Sequence, residues 1–260
     1  MAGNTVYVVT GANRGLGLGL TKSLVSRPST TVIGTVRNDE AAASLKADTD
    51  SITSANGTTL HIVKLDFSTA IPPEKVLEAF NAAVVSDTGS AISHIDVLIN
   101  NAAVGPPFVP SAELRAEDLR AAFETNTIAP LLVFQGLWAL LRRSPTGRPR
   151  LVMMSSSVGC VTDMEPLPGG AYGPSKAALN YLAKSLHTQH AADGLVALAL
   201  HPGWVRTRAG AFVASEWGFP GEPPVSVDDS VRGMLAVIDA ATRETASGKF
   251  LTQTGDVLAW

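Results

Sequence analysis

The sequence has one cysteine, no long uninterrupted apolar run and no strong excess of charge of either sign. Cys160 alone excludes a disulfide framework within the chain and a cysteine-rich zinc site, so we expect a buried small side chain there and no metal site. No apolar stretch approaches the ~18 residues that a transmembrane helix requires, and no basic-then-apolar leader precedes the first predicted strand. These absences predict a cytoplasmic protein that does not enter a membrane.

The charge balance excludes a further group of functions. The formal net charge is -3, and the densest basic run, at 140–150, is short and broken by prolines. Such a chain has no electrostatic reason to bind nucleic acid or an anionic membrane. With 45% hydrophobic residues in 260, it has enough apolar material for a substantial core.

Short apolar runs alternate with longer helical patterns along the chain. The predicted strands are 5–10, 30–36, 59–65, 95–100, 150–155, 195–201 and 249–252. The predicted helices are 15–27, 72–87, 113–142, 172–192 and 228–241. Most strands are continuously apolar, as strands covered on both faces are. The pattern predicts an α/β fold: a single Rossmann-type domain over 1–260, with a doubly wound parallel sheet of about seven strands and helices on both faces.

A glycine-rich turn, TGANRGLGLGL at 10–20, follows the first predicted strand. Residues without Cβ let the backbone approach a pyrophosphate closely, and the N-terminus of the next helix offers free N–H groups. A tight turn would produce the same glycine pattern, but its place after the first strand of an α/β chain predicts a dinucleotide site at Gly11, Gly15 and Gly17. We expect Gly19, one turn further on, to serve packing.

The end of the second predicted strand bears on which dinucleotide is bound. An NAD site usually has an acidic residue there, whereas NADP requires cations. Arg37 occupies this place and Arg14 lies in the glycine turn, and guanidinium groups suit phosphate geometry. The two arginines favour NADP(H), while Asp39 leaves NAD(H) open as the alternative.

A tyrosine and a lysine lie four residues apart in AYGPSKAALN, at 171–180. On a helix, Tyr172 and Lys176 share one face, so both side chains can reach one cleft. We expect the ammonium, together with an oxidised nicotinamide, to lower the pKa of the phenol below its usual value of about 10. The alternative is a packing aromatic followed by a surface lysine. The serines at 155–157 add hydroxyl groups at the carboxyl edge of the sheet, where ligands bind in this architecture.

Six motifs occur in order: TGANRGLG, NNAA, FETNTIAP, SSS, YGPSK and HPGWVRT. Together they resemble the motifs of the classical short-chain dehydrogenase/reductase family, and the sequence is more similar to fungal ketoreductases and small carbonyl reductases than to the ketoreductases of fatty-acid synthesis. The resemblance covers nearly the whole chain. It implies an NADP(H)-dependent enzyme that transfers hydride between a nicotinamide and a carbonyl or secondary alcohol, and it suggests a homodimer or homotetramer.

The resemblance also implies individual roles. Tyr172 corresponds to the general acid/base, Lys176 to the residue that lowers its pKa and holds the nicotinamide ribose, and Asn126 to the asparagine that anchors a water in the proton relay. Ser156 corresponds to the serine that polarises the carbonyl, although the longer gap before Tyr172 leaves Ser155 and Ser157 as alternatives. The implied cofactor-binding residues are Gly11, Asn13, Arg14, Gly15, Leu16, Gly17, Arg37, Asp66, Asn100, Ala102, Tyr172, Lys176, Pro202, Gly203, Val205 and Thr207.

Long loops suggest where a small-molecule carbonyl substrate binds. The stretch 203–225, rich in proline and glycine, is predicted to be a substrate lid. The residues predicted at the mouth of the cleft are Phe108, Met164, Leu167, Trp204, Phe212, Trp217 and Phe219. They predict a hydrophobic or aromatic ketone or aldehyde, with packing of the lid or of a subunit contact as the alternative.

Two other functions stay open from the sequence. One is a cofactor-binding protein that has lost catalysis and senses redox state, and the other is an epimerase or dehydratase on the same fold. The full set of Ser156, Tyr172, Lys176 and Asn126 argues against the first. The lack of a larger substrate domain argues against the second.

Overall fold

The computed structural model describes residues 3–50, 52, 55–105 and 107–260. Within these ranges, the strands are β1 (Thr5–Val9), β2 (Thr30–Val36), β3 (Thr59–Lys64), β4 (Val97–Asn100), β5 (Arg150–Met154), β6 (Val196–His201), β7 (Phe250–Thr252) and β8 (Val257–Leu258). The α-helices are α1 (Gly15–Val25), α2 (Asp39–Asp50), α3 (Pro73–Thr88), α4 (Ala116–Phe123), α5 (Ala129–Leu141), α6 (Tyr172–Gln189), α7 (Arg208–Glu216) and α8 (Val227–Ala240). Short 3-10 turns span Ser111–Glu113 and Ser157–Gly159.

The described strands form one sheet in the order β3-β2-β1-β4-β5-β6-β7-β8. Neighbouring strands pair in parallel except β7 and β8, which are antiparallel. The chain builds outward from β1 to β3 and then returns to place β4 on the other side of β1, so the strand order reverses there. The crevice outside the carboxyl ends of β1 and β4 is where ligands bind in such sheets. The predicted doubly wound fold is confirmed, with β8 as an addition at one edge.

Each face of the sheet has its own apolar core. Val8 and Val9 are adjacent in β1 but belong to different buried clusters, because successive side chains of a strand point to opposite faces. Helices α3, α5 and α6 cover one face, with Phe80, Leu137 and Leu179 buried there. Helices α1, α2 and α8 cover the other face, with Leu20, Leu45 and Ile238. The continuously apolar strands of the sequence follow from this double covering.

Two helices in the structure were not predicted. Helix α2 is rich in alanine and charge, and its buried residues are only Ala41, Leu45 and Thr49, a stripe too narrow to show as a helical period. Helix α7 lies inside the stretch 203–225 that was predicted as a loop. It begins where the Thr207 side chain accepts a hydrogen bond from the backbone N–H of Gly210, so the predicted lid is partly helical.

The single long helix predicted over 113–142 is interrupted in the structure. Helices α4 and α5 are separated by a π-helical turn, Glu124–Ile128. Pro130, in the first turn of α5, has no N–H to bond the backbone carbonyl of Asn126 four residues earlier. Turns of this kind are often found at functional sites, and this one contains Asn126. None of the helices in the described ranges is both long enough and apolar enough to cross a bilayer.

Candidate active site

The glycine turn closes so tightly that its glycines cannot carry side chains. Gly11 has a φ of 67°, in the left-handed region. A Cβ placed on Gly17 would lie 2.0 Å from the Gly11 carbonyl oxygen and 2.7 Å from the Asn101 Nδ2. The turn therefore presents bare backbone at the carboxyl end of β1, which is what close approach of a pyrophosphate requires.

Asn101 and Thr10 hold this turn, and neither was predicted. The Asn101 Nδ2 donates hydrogen bonds to the carbonyl oxygens of Thr10 at 2.9 Å and Gly11 at 3.4 Å. The Thr10 Oγ1 accepts from the backbone N–H groups of Asn101 and Ala102, both at 2.9 Å. The signal for Asn101 is the second asparagine of NNAA, of which only the first, Asn100, was predicted to bind the cofactor.

That first asparagine, Asn100, is buried at the end of β4, and its place beside a cofactor stays a prediction. Its side chain is 2% exposed, and its Nδ2 donates to the Pro130 carbonyl oxygen at 3.2 Å. The amide points into the core toward α5 because Pro130 brings a carbonyl group close to the end of β4. Only the backbone of Asn100, not its side chain, can border a cofactor in this arrangement.

The N-terminus of α1 is left without a protein partner of negative charge. Arg14 stands at the N-cap with extended backbone and no capping side-chain hydrogen bond, and the first turn contains no acidic residue. Free N–H groups and the positive end of the helix dipole then favour an anionic ligand. Gly19, by contrast, packs α1 on α8 as predicted, because a Cβ there would lie 2.9 Å from Val227 and from Val231.

Arg14 and Asp39, the two residues that bear on the choice of cofactor, lie in different electrostatic surroundings. Burial, followed by the positive charges of Arg208 and then Arg37, lowers the pKa of Arg14. Asp39, the candidate anchor for an NAD ribose, instead pairs with Lys64 at 2.8 Å. Arg14 is therefore exposed to two further positive charges, while the Asp39 carboxylate has a cationic partner of its own.

The three serines after β5 have separate surroundings. The Ser155 Oγ is buried and donates to the Asn180 Oδ1 at 2.6 Å. The backbone N–H of Ser157 donates to the His201 Nδ1 at 3.2 Å, and burial lowers the pKa of His201 to about 4, which keeps this ring neutral and able to accept. Of the three serine hydroxyls, that of Ser156 is the one that acts on the phenol of Tyr172, whose pKa it tends to lower.

Helix α6 begins at Tyr172, and its first turn aligns Tyr172 with Lys176. The Lys176 Nζ lies 5.3 Å from the centroid of the Tyr172 ring and donates to the Met154 carbonyl oxygen at 2.8 Å. Lys176 is 2% exposed, so its amine is held between the end of β5 and the tyrosine. The four-residue spacing thus places both side chains on one face of α6, as the sequence predicts.

The expected lowering of the tyrosine pKa does not occur in the cofactor-free protein. Burial raises the pKa of Tyr172 to about 12, and the Ser156 hydroxyl opposes this only in part. Burial also lowers the pKa of Lys176 to about 7, so the amine is only partly charged near neutral pH and its field on the phenol is weak. Tyr172 therefore keeps its proton, which is the state that a general acid requires.

Asn126 is buried, and its amide is fully used by the protein. The Oδ1 accepts from the Val104 N–H at 2.9 Å, and the Nδ2 donates to the Val104 carbonyl oxygen and to the Ser175 Oγ, each at 3.0 Å. The Ser175 Oγ in turn donates to the backbone carbonyl of Tyr172 at 2.7 Å. The side chain thus locks the π-helical turn onto α6. Pro130, which has no N–H, deprives the backbone carbonyl of Asn126 of its α-helical donor.

The remaining predicted cofactor residues lie along the same edge or beside it. Asp66 follows β3 and is exposed, and its Oδ1 accepts from the Ser68 N–H at 2.9 Å. Asn13 and Leu16 are half-buried around the start of α1. After β6, Gly203 has a φ of 81°. In the same segment, the Pro202 carbonyl oxygen accepts a hydrogen bond from the Ser230 hydroxyl, and Thr207 caps α7. Val205 forms an isolated parallel β-bridge with Val225.

Five aromatic residues form a wall beside Tyr172. We call Phe108, Trp204, Phe212, Trp217 and Phe219 the aromatic wall. The ring of Phe108 lies 5.8 Å from Tyr172, 5.7 Å from Trp217 and 6.4 Å from Phe212. Trp204 lies 5.8 Å from Trp217 and 4.6 Å from Phe219. Most of the predicted substrate residues therefore meet in one place.

The aromatic wall is tied to the segment that precedes Tyr172. The Trp217 Nε1 donates to the Pro168 carbonyl oxygen at 3.1 Å. Gly170, with a φ of 52°, has no room for a side chain, because a Cβ would lie 2.3 Å from the Pro107 carbonyl oxygen. Met164 and Leu167, in the same segment, are 69% and 42% exposed, so their place against a substrate stays a prediction.

Cys160 is buried as predicted, and its Sγ donates to the Ala259 carbonyl oxygen at 3.2 Å. Across the described ranges, no cluster of histidine, cysteine, aspartate and glutamate side chains has the arrangement of a metal site.

Comparison with known proteins decides the family. The family model described as short chain dehydrogenase matches residues 5–216. The chain belongs to the short-chain dehydrogenase family. This confirms the resemblance found in the sequence and makes the protein an oxidoreductase.

Relatives of the family are similar over the whole chain. Norsolorinic acid ketoreductase nor1 of Dothistroma septosporum is 36% identical, over 98% of this chain and 92% of that protein. Short-chain dehydrogenase RED3 of Pyricularia oryzae is 34% identical over 100% of both chains. The crystal structure of NADPH-bound carbonyl reductase from chicken fatty liver is 30% identical, with a TM-score of 0.81 and 100% of both chains covered. The protein thus falls among the short-chain ketoreductases and carbonyl reductases.

Proposed function

We propose that the protein is an NADP(H)-dependent ketoreductase that reduces a hydrophobic or aromatic ketone or aldehyde to the alcohol. The observation that carries the proposal is the contact of three side chains at the edge of the sheet. The Ser156 hydroxyl acts on the Tyr172 phenol, whose pKa it tends to lower, and the Lys176 Nζ lies 5.3 Å from the tyrosine ring. The glycine turn opens on the same edge of the sheet.

The residues around the turn fit a phosphorylated dinucleotide. Because Gly11 and Gly17 have no Cβ, the backbone of the turn stays open to a ligand. The first turn of α1 has no acidic side chain that would compete with a diphosphate for the free N–H groups. Arg14 and Arg37 would hold the 2′-phosphate, and Lys176 the nicotinamide ribose. The NADPH-bound state of the chicken carbonyl reductase agrees with this choice of cofactor. When bound, the cofactor supplies the hydride.

The chain's own residues would handle the substrate oxygen. Ser156 donates a hydrogen bond to the carbonyl oxygen, and this bond strengthens as negative charge develops there. Tyr172 gives its proton to that oxygen while the carbonyl carbon receives the hydride, so the product is an alcohol. Because burial holds the pKa of Tyr172 at about 12, the proton is present at neutral pH. Lys176, whose pKa is about 7 and whose Nζ lies 5.3 Å from the tyrosine ring, can return a proton to the phenolate.

The aromatic wall supports the substrate class. Phe108 is 6% exposed and lies against Tyr172, so a carbonyl that reaches the phenol must pass aromatic carbon. A flat apolar substrate gains burial and ring contacts there that a small polar carbonyl cannot. The ketoreductase activity in the name of the Dothistroma protein agrees with this class of reaction. We propose that 203–225, which contains α7, is the lid over this substrate.

The decisive test is consumption of NADPH, compared with NADH, in the presence of a panel of ketones and aldehydes. Tyr172→Phe should lower turnover by about 100-fold or more, because it removes the acid, while NADPH binding measured by fluorescence titration is kept. Tyr181→Phe is the matched control, since Tyr181 lies on the same helix and is 74% exposed.

Near-normal turnover in Tyr172→Phe would contradict the assignment of the acid. Activity confined to small polar carbonyls would contradict the substrate class. Binding of NADPH without its consumption by any member of the panel would favour the redox-sensing alternative, and conversion of a substrate without net consumption would favour an epimerase or dehydratase.

A further inference from the structure

A third arginine, Arg208, joins Arg14 and Arg37 at the glycine turn. The three come from different elements: Arg14 from the turn before α1, Arg37 from the end of β2, and Arg208 from the first position of α7. The start of α7 lies over the start of α1, because a Cβ on Gly15 would be 3.6 Å from the Thr207 Cγ2. Arg208 thus directly follows Thr207, the residue that contacts the turn.

Arg14 lies close enough to Arg208 and to Arg37 to be repelled by each of them. The positive charge of Arg208 contributes more than that of Arg37 to lowering the pKa of Arg14, after the effect of burial. Like charges brought together on a folded surface destabilise it unless a counter-charge is bound.

The protein itself offers these arginines no counter-charge in its described part. Other arginines, such as Arg27 and Arg142, form ion pairs with aspartates, but none involves Arg14, Arg37 or Arg208. The first turns of α1 and α7 both lack acidic residues. A cluster of cations beside a bare backbone cradle is complementary to a ligand with more than one phosphate group.

We propose that Arg208 is a cofactor-binding residue that holds the diphosphate of the dinucleotide, while Arg14 and Arg37 hold the 2′-phosphate. The inference rests on the proposed function. Arg208 is assigned to the diphosphate because it follows Thr207, which touches the glycine turn, whereas Arg37 ends the strand on the adenine-ribose side. Since Arg208 begins α7, the same contact attaches the lid helix to the bound cofactor.

The test is the affinity of each variant for NADPH and for NADH, measured by fluorescence titration without substrate. Because every dinucleotide has the diphosphate, Arg208→Ala should weaken both by a similar factor, about 10-fold to 100-fold for a charge-assisted bond. Arg37→Ala should weaken NADPH alone. Arg208→Lys keeps the positive charge but loses the paired N–H donors of the guanidinium, so its affinity for each dinucleotide should lie between those of Arg208→Ala and the wild type.

Arg148→Ala is the matched control for loss of one positive charge. Arg148 is exposed and precedes β5, so it lies at the amino ends of the strands, away from the glycine turn at their carboxyl ends. Its removal should therefore leave both affinities unchanged. Added salt should reduce the difference between Arg208→Ala and the wild type, because it screens the lost interaction. Thermal unfolding of each variant verifies that Thr207 still caps α7.

Three results would overturn the proposal for Arg208. They are unchanged affinity of Arg208→Ala for both dinucleotides, loss of NADPH affinity alone, and a raised KM for the carbonyl with normal cofactor binding. Failure of the wild-type protein to bind either dinucleotide would refute the proposed function and, with it, this inference.

Discussion

Lys176 is a buried amine, and its replacement by methionine should make the cofactor-free protein more stable in acid and less stable in alkali. The side chain is 2% exposed, and burial lowers its pKa from an ordinary 10.5 to about 7. Below this value the folded protein holds a charged amine away from water. Between 7 and 10.5 the unfolded chain binds a proton that the folded chain does not, so the stability of the wild type rises with pH across this window.

The size of the effect follows from two opposing quantities. At about 1.4 kcal/mol for each pH unit, the lowered pKa corresponds to a destabilisation of at most about 5 kcal/mol at low pH. Lys176→Met removes this cost but leaves the Met154 carbonyl oxygen without its 2.8 Å donor, which costs about 1–3 kcal/mol. The variant should therefore be more stable by about 2 kcal/mol or more near pH 6 and less stable by about 1–3 kcal/mol above pH 10.

Urea unfolding followed by tryptophan fluorescence, from about pH 6 to about pH 10, measures this difference. Lys46→Met is the control, because Lys46 is exposed on α2 and its replacement should change stability little at any pH. Turnover should be lost in Lys176→Met even where stability is gained, since a group retained for chemistry can oppose folding. A variant that is less stable than the wild type near pH 6, or a difference that is constant with pH, would show that the folded protein keeps this lysine charged.

Two further substitutions test the cradle and the aromatic wall. Gly17→Ala should reduce NADPH affinity by about 100-fold or more, because its Cβ would lie 2.0 Å from the Gly11 carbonyl oxygen. Gly3→Ala is the control and should bind NADPH normally, because Gly3 has open space around it. Equal affinities of the two variants in titration would contradict the account of the turn. Trp217→Phe keeps an aromatic ring but loses the 3.1 Å hydrogen bond to the Pro168 carbonyl oxygen. The KM for a bulky aromatic ketone should therefore rise about fivefold, with little change in the KM for a small aldehyde. Equal changes for both substrates in steady-state kinetics would contradict the role of the aromatic wall.

Residues close together in the sequence were the easiest to interpret. The strands, the glycine turn and the spacing of Tyr172 and Lys176 were all predictable, because strand pattern, turn chemistry and helical periodicity depend on near neighbours. Helix α2 was missed because few of its residues are buried. Helix α7 was missed because prolines and glycines surround it.

Contacts between distant segments could not be predicted. The choice of Ser156 over Ser155 depends on Asn180, which takes the Ser155 hydroxyl from 25 residues away. The part played by Asn101 depends on its reach to Thr10, 91 residues earlier. Arg208 joins the cations of the glycine turn only because β6 returns the chain to the same edge of the sheet.

The sequence by itself determined the family and the doubly wound sheet and proposed the set of reactive side chains, since these follow from local pattern and from ordered motifs. Only the tertiary structure decided the protonation of that set. From the sequence, Lys176 is an ammonium that lowers the pKa of Tyr172. In the folded protein, burial raises the pKa of the tyrosine to about 12 and lowers that of the lysine to about 7. The reason is desolvation, which depends on what packs around a group and cannot be inferred from its neighbours along the chain.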